Sequence, residues 1–489
     1  MEAFLESVNW AVVGGAAAAF LQFALAVAVI LRVILTRHPP SAALAWIILT
    51  TILPYVGFIL YVTIGERPIG RWRQFKLKAA VDRWNAVLAQ KTRSAGEASK
   101  SQRHKGLVRL AEKLGDIPMS YGSTLELISN TDDALRRIAV DIRQAKSSVS
   151  MEFYIWQDGG LVAEVTDALF DAARRGVVCK VLVDDIGAHG FLKSPTAKNF
   201  RDAGIHLLSA LPVRFFGPTH GRFDLRLHRK TIVIDNTVGY TGSLNMIDPA
   251  CFKQDENVGE WVDAVVRVTG TAVADLNLVL AFDWALQPDD AGQNVSFLPV
   301  SAVPATGDAR VVVVPSGPTA PDDANMRLII EAVNCARRSV LITTPYFVPN
   351  EAMAVALQNA AYRGVDVRLL LPMKNDSTFV HYASQRYFEG LMNAGVRIMR
   401  FDAGLLHTKA ITVDDDFALF GTVNLDNRSL HLNFEMMLLV FDPAFVKSLV
   451  ALMKTYEARC SVIDPATWHR RPLKVRFLEG VCYLVSPLL

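Results

Sequence analysis

One uncommon arrangement of residues occurs twice in the chain: His228, Lys230, Asp235, Gly242, Ser243 and Asn245, and again, 179 residues on, His407, Lys409, Asp414, Gly421, Thr422 and Asn424. Both copies obey H-x-K, four residues, D, six residues, G-[ST]-x-N. A single His-x-Lys is an ordinary strand pair, since short motifs match by chance. A spacing of this length met twice is an internal repeat, and a repeat constrains the architecture before anything else does. The groups it gathers suit a phosphodiester. Lysine, hydroxyl and amide donors hold non-bridging oxygens and stabilise the charge that builds on them in a pentacovalent transition state. One neutral imidazole attacks phosphorus, and the phosphohistidine so formed divides a hard displacement into two easier ones. The other imidazole, protonated, gives its proton to the leaving alkoxide and later takes one from the incoming hydroxyl. This scheme needs no metal and no other cofactor.

The elements that must position these groups follow from local pattern. His228 to Ile234 and His407 to Val413 are rich in β-branched residues and run into polar turns at 235–237 and 414–416, which predicts two hairpins. The strand period of two places His228 with Lys230, and His407 with Lys409, on one face. By the same rule Ser243 pairs with Asn245 and Thr422 with Asn424 on the returning strands. Gly242 and Gly421 precede those pairs, where a missing Cβ would let a ligand approach the backbone. Asp235 and Asp414 belong to the motif but fall in the turns, where turn formation and structural hydrogen bonding compete with direct chemistry.

Each hairpin ends a similar run of alternating elements. From about Gly122 the pattern predicts a helix over 133–145, a strand over 148–155, a helix over 161–175 and a strand over 177–183. The second run predicts helices over 325–337 and 351–363 and strands over 339–344 and 365–371. Each half should be a sheet between helices. Since one half supplies only one motif histidine, the halves should pack with pseudo-twofold symmetry. The junction falls at Pro299 to Gly307.

With the motifs in place, the chain resembles the phospholipase D superfamily, and within it the bacterial cardiolipin synthases, over nearly its whole length. The stretches Met151 to Trp156, Lys253 to Asp255, Trp261 to Asp263, Thr344 to Pro349, Leu406 to Lys409 and Thr422 to Asp426 running to Glu435 carry that resemblance beyond the motifs. Leu227 is a small departure, where relatives often have a polar residue. The resemblance implies an α/β fold of two phospholipase D-like α/β/α sandwich repeats. It implies His228 as nucleophile, His407 as general acid and base, and Lys230, Lys409, Asn245 and Asn424 as phosphate ligands, with Ser243 and Thr422 beside them. Asp263 and Glu435 would accept a hydrogen bond from a catalytic imidazole; which serves which is open at this level.

The N-terminus carries a second signal. Trp10 to Leu31 is an uncharged run of 22 residues and Pro39 to Gly65 another of 27, each long enough to cross a hydrocarbon core of about 30 Å. They predict a transmembrane hairpin. A cleaved secretory signal is disfavoured because residues 1–9 hold no Lys or Arg and a second apolar run follows the first. Arg67, Arg71, Arg73, Lys76, Lys78 and Arg83 cluster after the second run, which by the positive-inside rule puts the catalytic region on the cytoplasmic side; the resemblance implies that the membrane is a bacterial inner membrane.

Net charge of +3 conceals an imbalance, since residues 67–113 hold thirteen Lys or Arg against Asp82, Glu97 and Glu112. Such a connector suits anionic headgroups or serves as a solvated linker. It could also suit nucleic acid, a partner the membrane hairpin argues against. Five cysteines, Cys179, Cys251, Cys335, Cys460 and Cys482, are widely spaced and suggest neither a disulfide framework nor a zinc site.

The expected organisation is a hairpin over 1–65, a basic connector over 66–120, a first repeat over 121–300 and a second over 301–489. The expected activity is phosphatidyl transfer between two phosphatidylglycerol molecules, giving cardiolipin and glycerol. A membrane-anchored phospholipase D using water as acceptor is the alternative, with an anchored nuclease weaker. A catalytically inactive membrane scaffold is the contrasting class, and two intact histidines disfavour it. Oligomeric state is not legible in any of these patterns.

Overall fold

A computed structural model describes residues 10–36, 40–65, 103–213, 224–287, 303–318, 320–321 and 323–484. They divide between an N-terminal unit and a catalytic unit. Most of the basic connector, 66–102, lies outside the described residues, as do residues 299–302 of the expected junction.

In the N-terminal unit, helix α1 (Trp10–Leu35) contains the apolar stretch Gly14–Leu35, with a mean hydropathy of 2.4. Among the described residues it is the one helix long and apolar enough by itself to cross a membrane. The second apolar run, expected as a single helix, is instead α2 (Pro40–Ile52) and α3 (Pro54–Leu60), ending in a wide turn at Tyr61–Gly65. Pro54 is the reason: it has no N–H, and its ring pushes Leu53 out of the helical region to φ −128°, ψ 69°. Val29 and Val33 of α1 pack with Tyr61, Trp46, Ile47 and Phe58, so the unit has an apolar seam of its own.

The catalytic unit is built on one 15-stranded sheet. After helix α4 (Lys105–Gly115), the first half contributes β1 (Ser120–Ile128), α5 (Thr131–Arg143), β2 (Ser148–Phe153), α6 (Val162–Arg174), β3 (Val178–Asp184), α7 (His189–Leu192), α8 (Pro195–Asp202) and β4 (His206–Ala210). Then come β5 (Thr231–Ile234), β6 (Val238–Gly242), the short β7 (Trp261–Val262), β8 (Val265–Gly270) and α9 (Ala272–Ala285). The second half contributes β9 (Ala309–Ser316), α10 (Ala324–Cys335), β10 (Ser339–Thr343), β11 (Phe347–Val348), α11 (Glu351–Tyr362), β12 (Asp366–Pro372), α12 (Thr378–Asn393) and β13 (Arg397–Phe401). It continues with β14 (Leu405–Leu406), β15 (Ala410–Val413), β16 (Phe417–Gly421), β17 (Leu425–Asp426), α13 (Asn427–His431), β18 (Glu435–Phe441), α14 (Pro443–Glu457), β19 (Cys460–Val462), α15 (Pro465–Trp468) and α16 (Leu473–Leu484). The alternation read from sequence over 131–184 and 324–372 holds, with boundaries shifted by a few residues.

The strand order, β19-β13-β12-β10-β15-β16-β18-β9-β1-β8-β6-β5-β2-β3-β4, reads the same from both ends about the β9–β1 pair once the edge strand β19 is set aside. That is the pseudo-twofold relation, expressed as strand order. The sheets of the two halves are fused into one, because β1 pairs with β8 on one side and β9 on the other. The central strands explain the fusion physically. In β9, Val311 and Val313 enter one core while Val312 and Val314 enter the other, so the strand is covered on both faces.

Candidate active site

The motif strands begin later than expected. β5 starts at Thr231 and β15 at Ala410, so His228 to Lys230 and His407 to Lys409 lie on extended segments just before them. These segments are held by the opposite repeat. Leu227 bridges Phe434 in parallel, and the His228 N–H donates to the Phe434 carbonyl at 2.9 Å. Likewise β14 pairs in parallel with β7, and the His407 N–H donates to the Val262 carbonyl at 2.9 Å. Each histidine is thereby placed one residue away from the other repeat's carboxylate.

The carboxylate pairing, which sequence left open, is crossed. His228 Nδ1 lies 2.8 Å from Glu435, and His407 Nδ1 lies 2.7 Å from Asp263. A carboxylate on Nδ1 fixes the neutral tautomer with its proton there and leaves Nε2 bare. Burial pushes the His228 imidazolium down to about 4, with Glu435 opposing and Lys230 and Lys409 adding to the fall. Burial and then Lys409 push His407 down to about 3 against the pull of Asp263. Both rings are therefore neutral near pH 7. The carboxyls go the other way: burial would raise Glu435 and Asp263, but the paired imidazoles and neighbouring lysines hold both below their ordinary values.

Lys230 and Lys409 are buried, and each ammonium donates to the carbonyl of its own motif histidine at 2.7 Å. Burial lowers Lys230 to about 8 and Lys409 well below its usual value. Each histidine feels both lysines, which places all four groups in one electrostatic centre. Aromatic rings close it: Tyr154 lies against His228 at 5.1 Å between centroids and Trp261 against His407 at 4.3 Å. Trp261 belongs to a stretch quoted for the resemblance, but nothing in its spacing marked it as a wall of the site.

The remaining motif residues are held by neighbours from other elements. Asp235 and Asp414 have left-handed φ of 51° and 55° in their turns. The Asp235 carboxylate accepts from the N–H groups of Lys146, Ser147 and Ser148, and Asp414 from those of Arg337, Arg338 and Ser339. Four strand residues separate each from its lysine. Through these bonds the two carboxylates tie each hairpin turn to the start of β2 or β10.

The Thr422 hydroxyl, expected to face phosphate, donates to Glu435 and accepts from the Met436 N–H at 2.9 Å, and Ser243 accepts from the Ala264 N–H at 3.0 Å. Both brace a carboxylate strand. Gly242 and Gly421 are needed for strand approach rather than ligand approach, since a Cβ there would meet Ala264 O at 2.4 Å or Met436 O at 2.2 Å. Asn245 accepts from the Ile155 N–H at 3.2 Å, while Asn424 Oδ1 is buried with no partner among the described residues.

Two buried acids had no role in the sequence reading. Asp184, at the end of β3, accepts from the Leu227 N–H at 2.9 Å and pairs with Arg226, anchoring the segment that carries His228. Asp426 caps α13 through the Ser429 N–H at 2.8 Å, and burial pushes its carboxyl up to about 6. A paired signal for Asp426 exists only in the second motif, because Ile247 stands at the matching position of the first. No cluster of three or more metal-ligating side chains occurs among the described residues.

Two symmetric α/β repeats that each carry the motif agree with the phospholipase D superfamily, and the comparisons with known proteins narrow the class. Residues 138–273 and 329–456 match the family described as cardiolipin synthase, PLD-like domain, and residues 24–66 match the phospholipase D-nuclease N-terminal family. Cardiolipin synthase A of Yersinia pseudotuberculosis serotype O:1b (strain IP 31758) is 39% identical, with all of both chains covered. The same protein of Yersinia pestis bv. Antiqua (strain Angola) is equally similar. The chain belongs to the cardiolipin synthase family. The crystal structure of phosphatidylserine synthase from Haemophilus influenzae Rd KW20 shares the fold, with a TM-score of 0.59 at 16% identity, covering 78% of this chain and 99% of that one.

Proposed function

We propose that this enzyme makes cardiolipin and glycerol from two phosphatidylglycerol molecules through a phosphatidyl-histidine. His228 Nε2 attacks the phosphorus of the first lipid while His407 gives a proton to the departing glycerol oxygen. His407 then takes the proton of a hydroxyl on the second lipid, whose oxygen displaces His228 from phosphorus. Lys230, Lys409, Asn245 and Asn424 hold the non-bridging oxygens, and Glu435 and Asp263 fix the tautomers. The observation that carries the reading is the crossed pairing of two buried histidines in one lysine-rich centre.

Expelling glycerol needs a protonated imidazole, whereas burial makes both rings neutral. A phosphodiester brings a negative charge into the buried centre, which favours the imidazolium, so substrate itself creates the acid that expels glycerol. By the same reading the apolar segments of residues 10–65 anchor the protein in a bacterial inner membrane as two spans, with the catalytic unit on the cytoplasmic face. The partners are phosphatidylglycerol and other anionic membrane lipids.

The test is to incubate purified enzyme with phosphatidylglycerol labelled in its headgroup and its acyl chain, and to resolve the products. Cardiolipin and glycerol in equal amounts are expected. Phosphatidic acid as the main product would replace transfer by hydrolysis.

A further inference from the structure

The geometry points to a membrane-docking surface on α16, separate from the N-terminal apolar helices, that seats the catalytic unit on an anionic lipid bilayer. The inference rests on the reading of the substrate as membrane phospholipid.

Single exposed apolar residues are ordinary, whereas a contiguous group marks an interaction site. In the catalytic unit such exposure concentrates on one short helix. Leu473 is 79% exposed, Phe477 74% and Leu484 77%, with Leu478, Val481 and Tyr483 also exposed. Leu473, Phe477, Val481 and Leu484 follow one another at intervals of four, four and three residues and so share one face. Phe379 on the first turn of α12, 56% exposed, adds a ring.

The opposite face of α16 is committed inward. Cys482 packs with Val380 and Ala383 of α12, and the Tyr483 ring meets Tyr387 at 5.5 Å. Glu479, 2% exposed, takes both donors of Arg471 at 2.9 Å, while Arg471 lies 3.7 Å above the Trp468 ring. The helix is thus docked, and its outer face is what remains.

Charge identifies the occupant. The only acid between residues 469 and 484 is Glu479, already paired, whereas Lys474 and Arg476 are exposed and flank the apolar stripe on either side. An apolar face rimmed by lysine and arginine suits the boundary between headgroups and acyl chains of an anionic bilayer, with the cations reaching back to phosphate. Position supports the same occupant. Cys482 also packs on Val348 of β11, which pairs in register with Asp426, two residues beyond Asn424. Helix α16 therefore packs beside the strand that pairs with the segment following the second motif.

The experiment uses the full chain with exposed Cys251 replaced by serine and one environment-sensitive dye at Phe477→Cys, placed in bilayers of phosphatidylglycerol and phosphatidylethanolamine. Quenching by lipid brominated along its acyl chains is expected, with none for a dye at Arg174→Cys on the far end of the sheet. A Phe477 dye that stays unquenched would overturn the proposal. So would cross-linking between copies through Phe477→Cys with no quenching, which would assign the face to a second copy of the chain.

A second arm reads activity. Leu473→Asp with Phe477→Asp should lower turnover of bilayer phosphatidylglycerol about tenfold or more, the loss set by two large side chains denied burial, and leave turnover of dispersed short-chain phosphatidylglycerol unchanged. Equal losses on both would mean a structural role and defeat the proposal. The dye result needs no catalysis, so it stands or falls apart from the reading of the reaction.

Discussion

The two repeats hold an imidazole by the same plan and finish it differently. Behind His228, Glu435 is saturated: Thr422 and Ser429 donate to it, and Asn433 lies at 3.5 Å. Behind His407, Asp263 holds the ring through Oδ1 and has the Ser243 hydroxyl as one further side-chain donor, fewer than Glu435 has. A saturated carboxylate fixes one orientation; one with acceptor capacity left can stabilise a ring that repeatedly gains and loses a proton. The difference fits a stationary nucleophile in the first motif and an acid–base group in the second.

The most severe way to break this comparison is to remove each ring. His228→Ala and His407→Ala should each abolish steady-state turnover, yet only the protein retaining His228 should accumulate labelled phosphatidyl adduct. Adduct on His228→Ala would exchange the two roles.

Removing the carboxylates sharpens it. Glu435→Gln and Asp263→Asn should each lower the rate by about a hundredfold to ten thousandfold, as loss of a histidine-orienting carboxylate does elsewhere. Substrate binding should change little, and the Asp263 variant should lose more of the acid-dependent step, glycerol release. Wild-type rates for both variants would make these acids structural.

Protonation offers a gentler probe. Because burial holds His228 and His407 at about 4 and 3, binding of an anionic phosphodiester should draw in a proton, visible as a buffer-dependent heat in calorimetry. Equal heats in buffers of different ionisation enthalpy would contradict substrate-made acid. The alkaline side belongs to the two lysines: with Lys230 lowered to about 8 and Lys409 lowered as well, kcat/KM should fall as pH rises, and replacing both by arginine should remove that limb.

The smallest effects should come from the turns, where the repeats are alike. Asp235→Asn and Asp414→Asn each weaken three backbone bonds and should cost about 1–3 kcal/mol of stability with near-normal kcat in the folded fraction. Burial alone would raise these carboxyls, but the amides hold them below the ordinary value. Their contribution is thus present above the unfolded pKa near 4 and is lost as pH falls through the folded one. Thermal melts from pH 7 to pH 3 would show it, and a kcat loss like that of the histidine variants would restore Asp235 and Asp414 to the chemistry.

Sequence made the repeat, its alternating elements and the motif histidines and lysines legible because all are local. What escaped depends on neighbours distant in the chain. The partner of His228 lies 207 residues away, and no spacing rule reaches that far. Gly242 and Gly421 were visible as glycines, but the oxygens they make room for sit on other strands. The fusion of two sheets hangs on β1 and β9, which carry no motif. Pro54 is the opposite case: its effect on the second apolar run is a local rule, and the run's lack of charge outweighed it.

The crossed pairing also sets an order in time. A ribosome that has delivered the first repeat has made His228 but not Glu435, and His407 must likewise find an aspartate made 144 residues earlier. The nascent first half therefore carries an imidazole without the carboxylate that meets it in the folded protein. If the proposed chemistry holds, its centre is complete only once both halves have been synthesised.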